Sequence, residues 1–143
     1  MDEFMKEAIF QAKRSLTEGG LPIGSVLVKN ELIIGRGHNR RVQDNDPLAH
    51  AEIVCLRNAG RIKSYEHTIL YSTLMPCYLC AGAVVQFGIK KVIVGESRNF
   101  DGAKNFMESH GVEVIDLDLS DCYQMMSEFI RKNPNLWNED IGK

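Results

Sequence analysis

Two short stretches constrain this chain more than any other feature. One is Leu48-Ala49-His50-Ala51-Glu52; the other is Leu74-Met75-Pro76-Cys77-Tyr78-Leu79-Cys80, whose first thiol follows Glu52 by 25 positions. His50, Cys77 and Cys80 are three candidate zinc ligands, and three protein ligands leave a tetrahedral zinc one position short, where catalytic sites bind water. Cys77 and Cys80 are spaced to share one face of a helix. Pro76 suits the entrance of that helix, where a missing N–H is no loss. Thiols in a first turn also feel the positive end of the helix dipole, which favours the metal-binding thiolate. His50 opens a second apolar stretch, Ala51 to Leu56, that reads as another helix. Two helices starting at one end of a sheet can bring their first turns to a single ion. Glu52 is two positions from His50 and on a regular helix points elsewhere. It therefore reads as a proton carrier beside the metal rather than as a fourth ligand.

Composition narrows the class. The chain of 143 residues suits one domain with a real core, 1–143, and its 44% hydrophobic and 25% charged content is that of a globular protein. No run approaches the roughly 20 apolar residues of a membrane span. The acidic, amphipathic start is unlike a secretory or organellar leader, so a cytoplasmic location is expected. Seventeen basic against nineteen acidic residues give a charge of −2, which argues against a protein dominated by phosphate contacts and makes nucleic acid an unexpected partner. The basic pairs Lys13-Arg14, Arg40-Arg41 and Lys90-Lys91 read as solvated surface. Cys55 and Cys122 read as buried free thiols, since four cysteines do not make a disulfide framework at this size.

Along the chain, Phe4, Ala8, Ile9, Ala12 and Leu16 recur at helical spacing, and Gly19-Gly20 ends that helix. Ile23–Val28 and Leu32–Gly37 read as a hairpin turning at Lys29-Asn30-Glu31. His38 to Pro47 is polar and loop-like, and His38, His67 and His110 read as surface or loop histidines. A helix from His50 to about Gly60 precedes a strand at 68–72. The thiol helix runs from Cys77 to about Phe87, capped by Gly88. Strands follow at 91–95 and 112–116 around a short helix near 103–110. Ser120 is expected to cap a last long helix reaching about Arg131. The tail 133–143, which holds Trp137, does not read as helix. Strands alternating with helices imply an α/β fold, a mixed sheet covered on both faces.

The ordered combination His-x-Glu then Pro-Cys-x-x-Cys is the established signature of zinc-dependent nucleobase deaminases. With Gly19-Gly20-Leu21-Pro22-Ile23-Gly24, Gly35-Arg36-Gly37-His38-Asn39, Gly95-Glu96, Asn99-Phe100 and the ending Trp137-Asn138-Glu139-Asp140-Ile141-Gly142, the chain resembles, nearly end to end, the fungal-type cytosine deaminases of the cytidine-deaminase-like superfamily. The ending is the part that points to the cytosine branch. The resemblance implies a three-layer α/β/α sandwich on a five-stranded mixed sheet, a homodimer, one Zn2+ per subunit, and hydrolytic deamination of cytosine in pyrimidine salvage. It implies Glu52 as the catalytic acid–base. Asn39 and Asp140 would hold the pyrimidine edge and the amine, with backbone contacts at Ala51 and Met75. Ile23, Phe100 and Trp137 would form the apolar walls, and 133–143 a flap over the pocket.

Three departures bear on the substrate. Ala51 stands where those deaminases have Gly, Met75 where they commonly have Ser, and Tyr78-Leu79 where they have Asp-Met. Ala51 together with Ala81-Gly82-Ala83 also occurs in tRNA adenosine deaminases. Deaminases of adenosine in tRNA, or of another free base or nucleoside such as guanine or cytidine, are therefore the alternatives. A structural zinc module is the non-enzyme one, and it would need a fourth protein ligand.

Overall fold

A computed structural model describes residues 2–143. Five strands, β1 (Gly24–Lys29), β2 (Leu32–His38), β3 (Thr68–Ser72), β4 (Lys91–Val94) and β5 (Glu113–Asp116), form one sheet in the order β2-β1-β3-β4-β5. β1 is antiparallel to both β2 and β3, whereas β3, β4 and β5 run parallel. The hairpin turns on Asn30 and Glu31, both at positive φ, the two-residue geometry whose twist matches paired strands.

Helices cover both faces. α1 (Glu3–Thr17) and α6 (Ser120–Lys132) lie on one; α3 (Ala51–Ala59), α4 (Tyr78–Phe87) and α5 (Lys104–Ser109) lie on the other. Strand alternation explains the sorting. Val26 and Val28 meet Met5, Ala8 and Ile9 of α1, and the intervening Leu27 meets Cys55 and Leu56 of α3. The expected α/β/α sandwich is what forms, and Cys55 and Cys122 are buried free thiols.

Two glycines let α3 lie flush on β2. A Cβ on Gly35 would stand 2.7 Å from the Cys55 carbonyl oxygen, and one on Gly37 would stand 2.4 Å from the Cys55 nitrogen.

Four expectations need correction. The tail is helical: α7 (Pro134–Asp140) starts on Pro134, whose fixed φ suits a first turn, and buries Trp137 against Met126 and Phe129 of α6. Burial of that face outweighs a sequence without clear periodicity. The stretch 38–47 contains a short helix, α2 (Arg41–Asp44), closed by Asn45 in the left-handed region. His38 is buried at the end of β2, between Gln11 and Glu18, while His67 and His110 are exposed as expected. Ser120 is the first residue of α6 and makes no capping bond; Leu119 holds the cap position.

Candidate functional site

β3 is the strand where the sheet changes from antiparallel to parallel neighbours. Ligand crevices form at such switch points, outside the carboxyl ends of the strands. Four loops gather there: the entry to β1, the exit of β2 at Asn39, and the segments after β3 and β4. Ser25 pairs with Ser72, Gly24 with His38, and the Met75 N–H donates to the Glu96 carbonyl.

Both ligand-bearing helices point their N-termini into this crevice, and the ligands sit on the caps. His50 is the N-cap of α3 and Cys77 the N-cap of α4, each with extended backbone. Cys80 is the third residue of α4, where an N-cap side chain naturally reaches. Because His50 lies outside the helix, Glu52 is not turned away from it as two residues of one regular helix would be. Glu52 is 5% exposed and lines the same void as His50.

The donor set fits zinc. The ligand atoms of His50, Cys77 and Cys80 all lie within 4.8 Å of one another, and no fourth His, Cys, Asp or Glu joins them among the described residues. Bonds of about 2.3 Å to sulfur and 2.0–2.1 Å to nitrogen, at a tetrahedral angle, put those donors about 3.5 Å apart. Cys77 Sγ and His50 Nδ1 are 3.4 Å apart. The electrostatics favour a thiolate. The Cys80 thiol, hydrogen-bonded to Cys77, draws the Cys77 thiol down to about 4, with His50 helping and burial opposing. Burial works against charge on His50, yet the bond to Cys77 and the carboxylates of Glu52 and Asp140 hold it at about 9. Glu52 is pushed up to about 7 by burial first and by the charge on Cys77 second.

Beside the cluster is a small void of about 20 Å³, room for roughly one water. Ile23, Asn39, Met75, Phe100 and Asp140 line it with His50, Glu52 and Cys77. Of the residues expected at a pocket, Ala51 and Trp137 do not line it. Ala51 is fully buried in the first turn of α3, and Trp137 stands behind Phe100, edge to face at 5.8 Å.

The family model for the cytidine and deoxycytidylate deaminase zinc-binding region matches residues 1–96, a span that contains all three ligands and Glu52. The chain belongs to that deaminase family. Zinc is therefore the ion that His50, Cys77 and Cys80 are positioned to hold. This deaminase is 42% identical over 142 residues to a cytosine deaminase of Candida albicans, covering 97% of this chain and 95% of that one. It is 40% identical over 144 residues to a tRNA-specific adenosine deaminase of Buchnera aphidicola, covering 90% and 87%. A solved structure from a study of A-to-I editing by tRNA:A34 deaminases superposes with a TM-score of 0.68 at 31% identity, covering 80% of this chain and 96% of that one. The resemblance to cytosine deaminases read from the motifs is borne out over the length of the deaminase.

Sequence reading missed two residues of the site. Leu74 lines the void. Arg41, taken with Arg40 as solvated surface, is only 12% exposed in its side chain and lies 3.7 Å from Asp140 and 3.5 Å from Glu139. Its place two residues after Asn39 was the available signal, but nothing in composition separates it from Arg40.

Proposed function

We propose that this deaminase hydrolyses cytosine to uracil and ammonia, in pyrimidine salvage, as a single catalytic domain with 133–143 as its flap. The observation that carries the reading is the meeting of Asn39 and Asp140 at a void beside the ligand cluster that Glu52 also lines. An amide and a carboxylate opposite an acid–base group suit a small base with a lactam edge and an exocyclic amine. α7 adds Asp140 to the void lining, a carboxylate suited to the exocyclic amine of a free base.

His50, Cys77 and Cys80 would hold the zinc, which would supply Lewis acidity that lowers the pKa of water from 15.7 toward roughly 7–9. Glu52 accepts a proton from the attacking water and delivers it to ring N3. It then takes the remaining proton from the hydroxyl added at C4 and passes it to the amino group, which leaves as ammonia while the oxygen stays on C4 as the carbonyl. One carboxylate serves as base and then acid because the two transfers bracket one addition. Asn39 orients the pyrimidine edge, and Asp140 accepts from the amine. Ala51 does not line the void, but its N–H, at the first position of α3, has no helical acceptor and suits the ring oxygen once a base is bound. Met75 lends backbone on the amine side. Ile23 and Phe100 hold the ring faces, and Trp137 fixes Phe100.

The deaminase works as a homodimer. α4 is apolar nearly all round, yet Tyr78, Leu79 and Phe87 are exposed by 73%, 42% and 47%, a face that a second copy can cover. A cytoplasmic location suits a site that needs its thiols reduced.

The test is ammonia release by zinc-loaded protein from cytosine, with cytidine, guanine and an adenosine-bearing tRNA anticodon stem-loop in parallel. Turnover of cytosine far above the others is expected. Preferred turnover of the stem-loop overturns the assignment.

A further inference from the structure

A second concave site shares no lining residue with the zinc void. It is a polar cleft of about 480 Å³ between α1, the end of β2, α2 and α3. Arg14, Arg36, Arg40 and Arg57 line it, half of the eight arginines in the chain, and none of the nine lysines does. Its carboxylate neighbours are already engaged. Arg36 holds Glu7 at 2.9 Å, and Arg40 holds Asp44 at 2.9 Å and Glu18 at 3.3 Å. Glu18 also meets the buried His38 at 2.8 Å. Among the described residues, Arg14 and Arg57 make no ion pair, although they open onto the same cleft from two different helices.

Four guanidinium groups around one cleft repel one another, and in a chain of charge −2 their gathering here is a local departure. An anion relieves the repulsion. The choice of arginine over lysine narrows which anion. A guanidinium offers a planar fork of N–H donors, matched to paired oxygens. Forks arriving from separate walls need an acceptor with more than two oxygens. A tetrahedral phosphate monoester has three terminal oxygens and up to two charges, whereas a carboxylate has two oxygens and one. The volume lies in the range of small-ligand sites and leaves room for a nucleoside beyond the phosphate.

We infer that this cleft binds a phosphate monoester or free phosphate dianion between Arg14 and Arg57, with Arg36 and Arg40 on its flanks. The site stands apart from the deamination chemistry and does not depend on the substrate assigned above.

The test follows the arginine Nε–H resonances of zinc-loaded, 15N-labelled protein during titration with inorganic phosphate and, separately, with uridine 5′-monophosphate. Both probes are expected to shift Arg14 and Arg57 saturably, and added salt to weaken binding. Arg14 and Arg57 are exposed and unpaired, so R14A/R57A folds, keeps its deamination rate and binds either probe roughly tenfold or more weakly. R98A binds as the parent does. Tighter binding of the nucleotide assigns the site to nucleotides, and equal binding assigns it to free phosphate. Unchanged affinity in R14A/R57A, shifts confined to the zinc pocket, or an equal response to chloride overturns the inference.

Discussion

The Asn39 side-chain amide donates to the Asp140 carboxylate at 3.4 Å, joining the exit of β2 to α7 across 101 residues of chain. Asp140 is nearly buried, its side chain 8% exposed, and burial raises its pKa while His50, Arg41 and Asn39 oppose the rise. In the proposed reaction this carboxylate would accept from the substrate amine.

Asp140→Ala removes that acceptor and leaves the zinc ligands untouched. Loss of a hydrogen bond to a charged group corresponds to roughly a 10–100-fold drop in kcat/KM for cytosine. Steady-state kinetics with metal analysis checks it; unchanged kinetics would remove Asp140 from substrate binding.

Glu52→Gln keeps the size of the side chain but ends its proton traffic. Turnover is expected to fall by roughly 10²–10⁴ while zinc stays at one per chain. A metal-replete variant that works at a near-normal rate would take Glu52 out of the mechanism.

Zinc uptake by apoprotein should release about two protons per ion near pH 7. His50, at about 9, and Cys80, raised well above its ordinary value first by its hydrogen bond to Cys77 and then by burial, both carry protons at that pH. Cys77, at about 4, does not. Each group that must shed a proton makes affinity rise with pH, so zinc binding strengthens from pH 6 to 8. Calorimetry in buffers of different ionisation enthalpy counts the protons; a count of zero contradicts the cluster's electrostatics.

How much of this was legible follows from which forces act locally. The zinc ligands were readable because few residue types ligate zinc and because His-x-Glu followed by Pro-Cys-x-x-Cys is a recognisable order. The sheet and its covering helices were readable because Val26, Leu27 and Val28 alternate between two faces. α7 was not, since its helicity depends on Trp137 finding Met126 and Phe129, a contact no local pattern announces. Nor was the burial of Arg41, which depends on carboxylates about a hundred residues away. The position of His50 as a cap mattered too: periodicity places a residue on a helix face but does not say where the first turn begins.

Deleting residues 133–143 removes Asp140 and uncovers Leu21, Met126 and Phe129 around the lost Trp137. The truncated protein should retain zinc but show a raised KM for cytosine and a lower melting temperature. Wild-type kinetics in that protein would make the tail packing alone.

Tyr78→Asp with Phe87→Asp places charge on the exposed face of α4. If that face joins two copies, sedimentation should show monomers where the parent shows dimers. A parent that sediments as a monomer at micromolar concentration disposes of the homodimer.

The missing side chains at Gly35 and Gly37 reach further than their strand. They set how low α3 rides, and its first residue is preceded by the imidazole of the metal cluster. A methyl group at position 37 would wedge the helix upward and carry His50 off from sulfurs anchored on α4. A side chain on this strand would therefore disturb a metal cluster whose ligands it never touches.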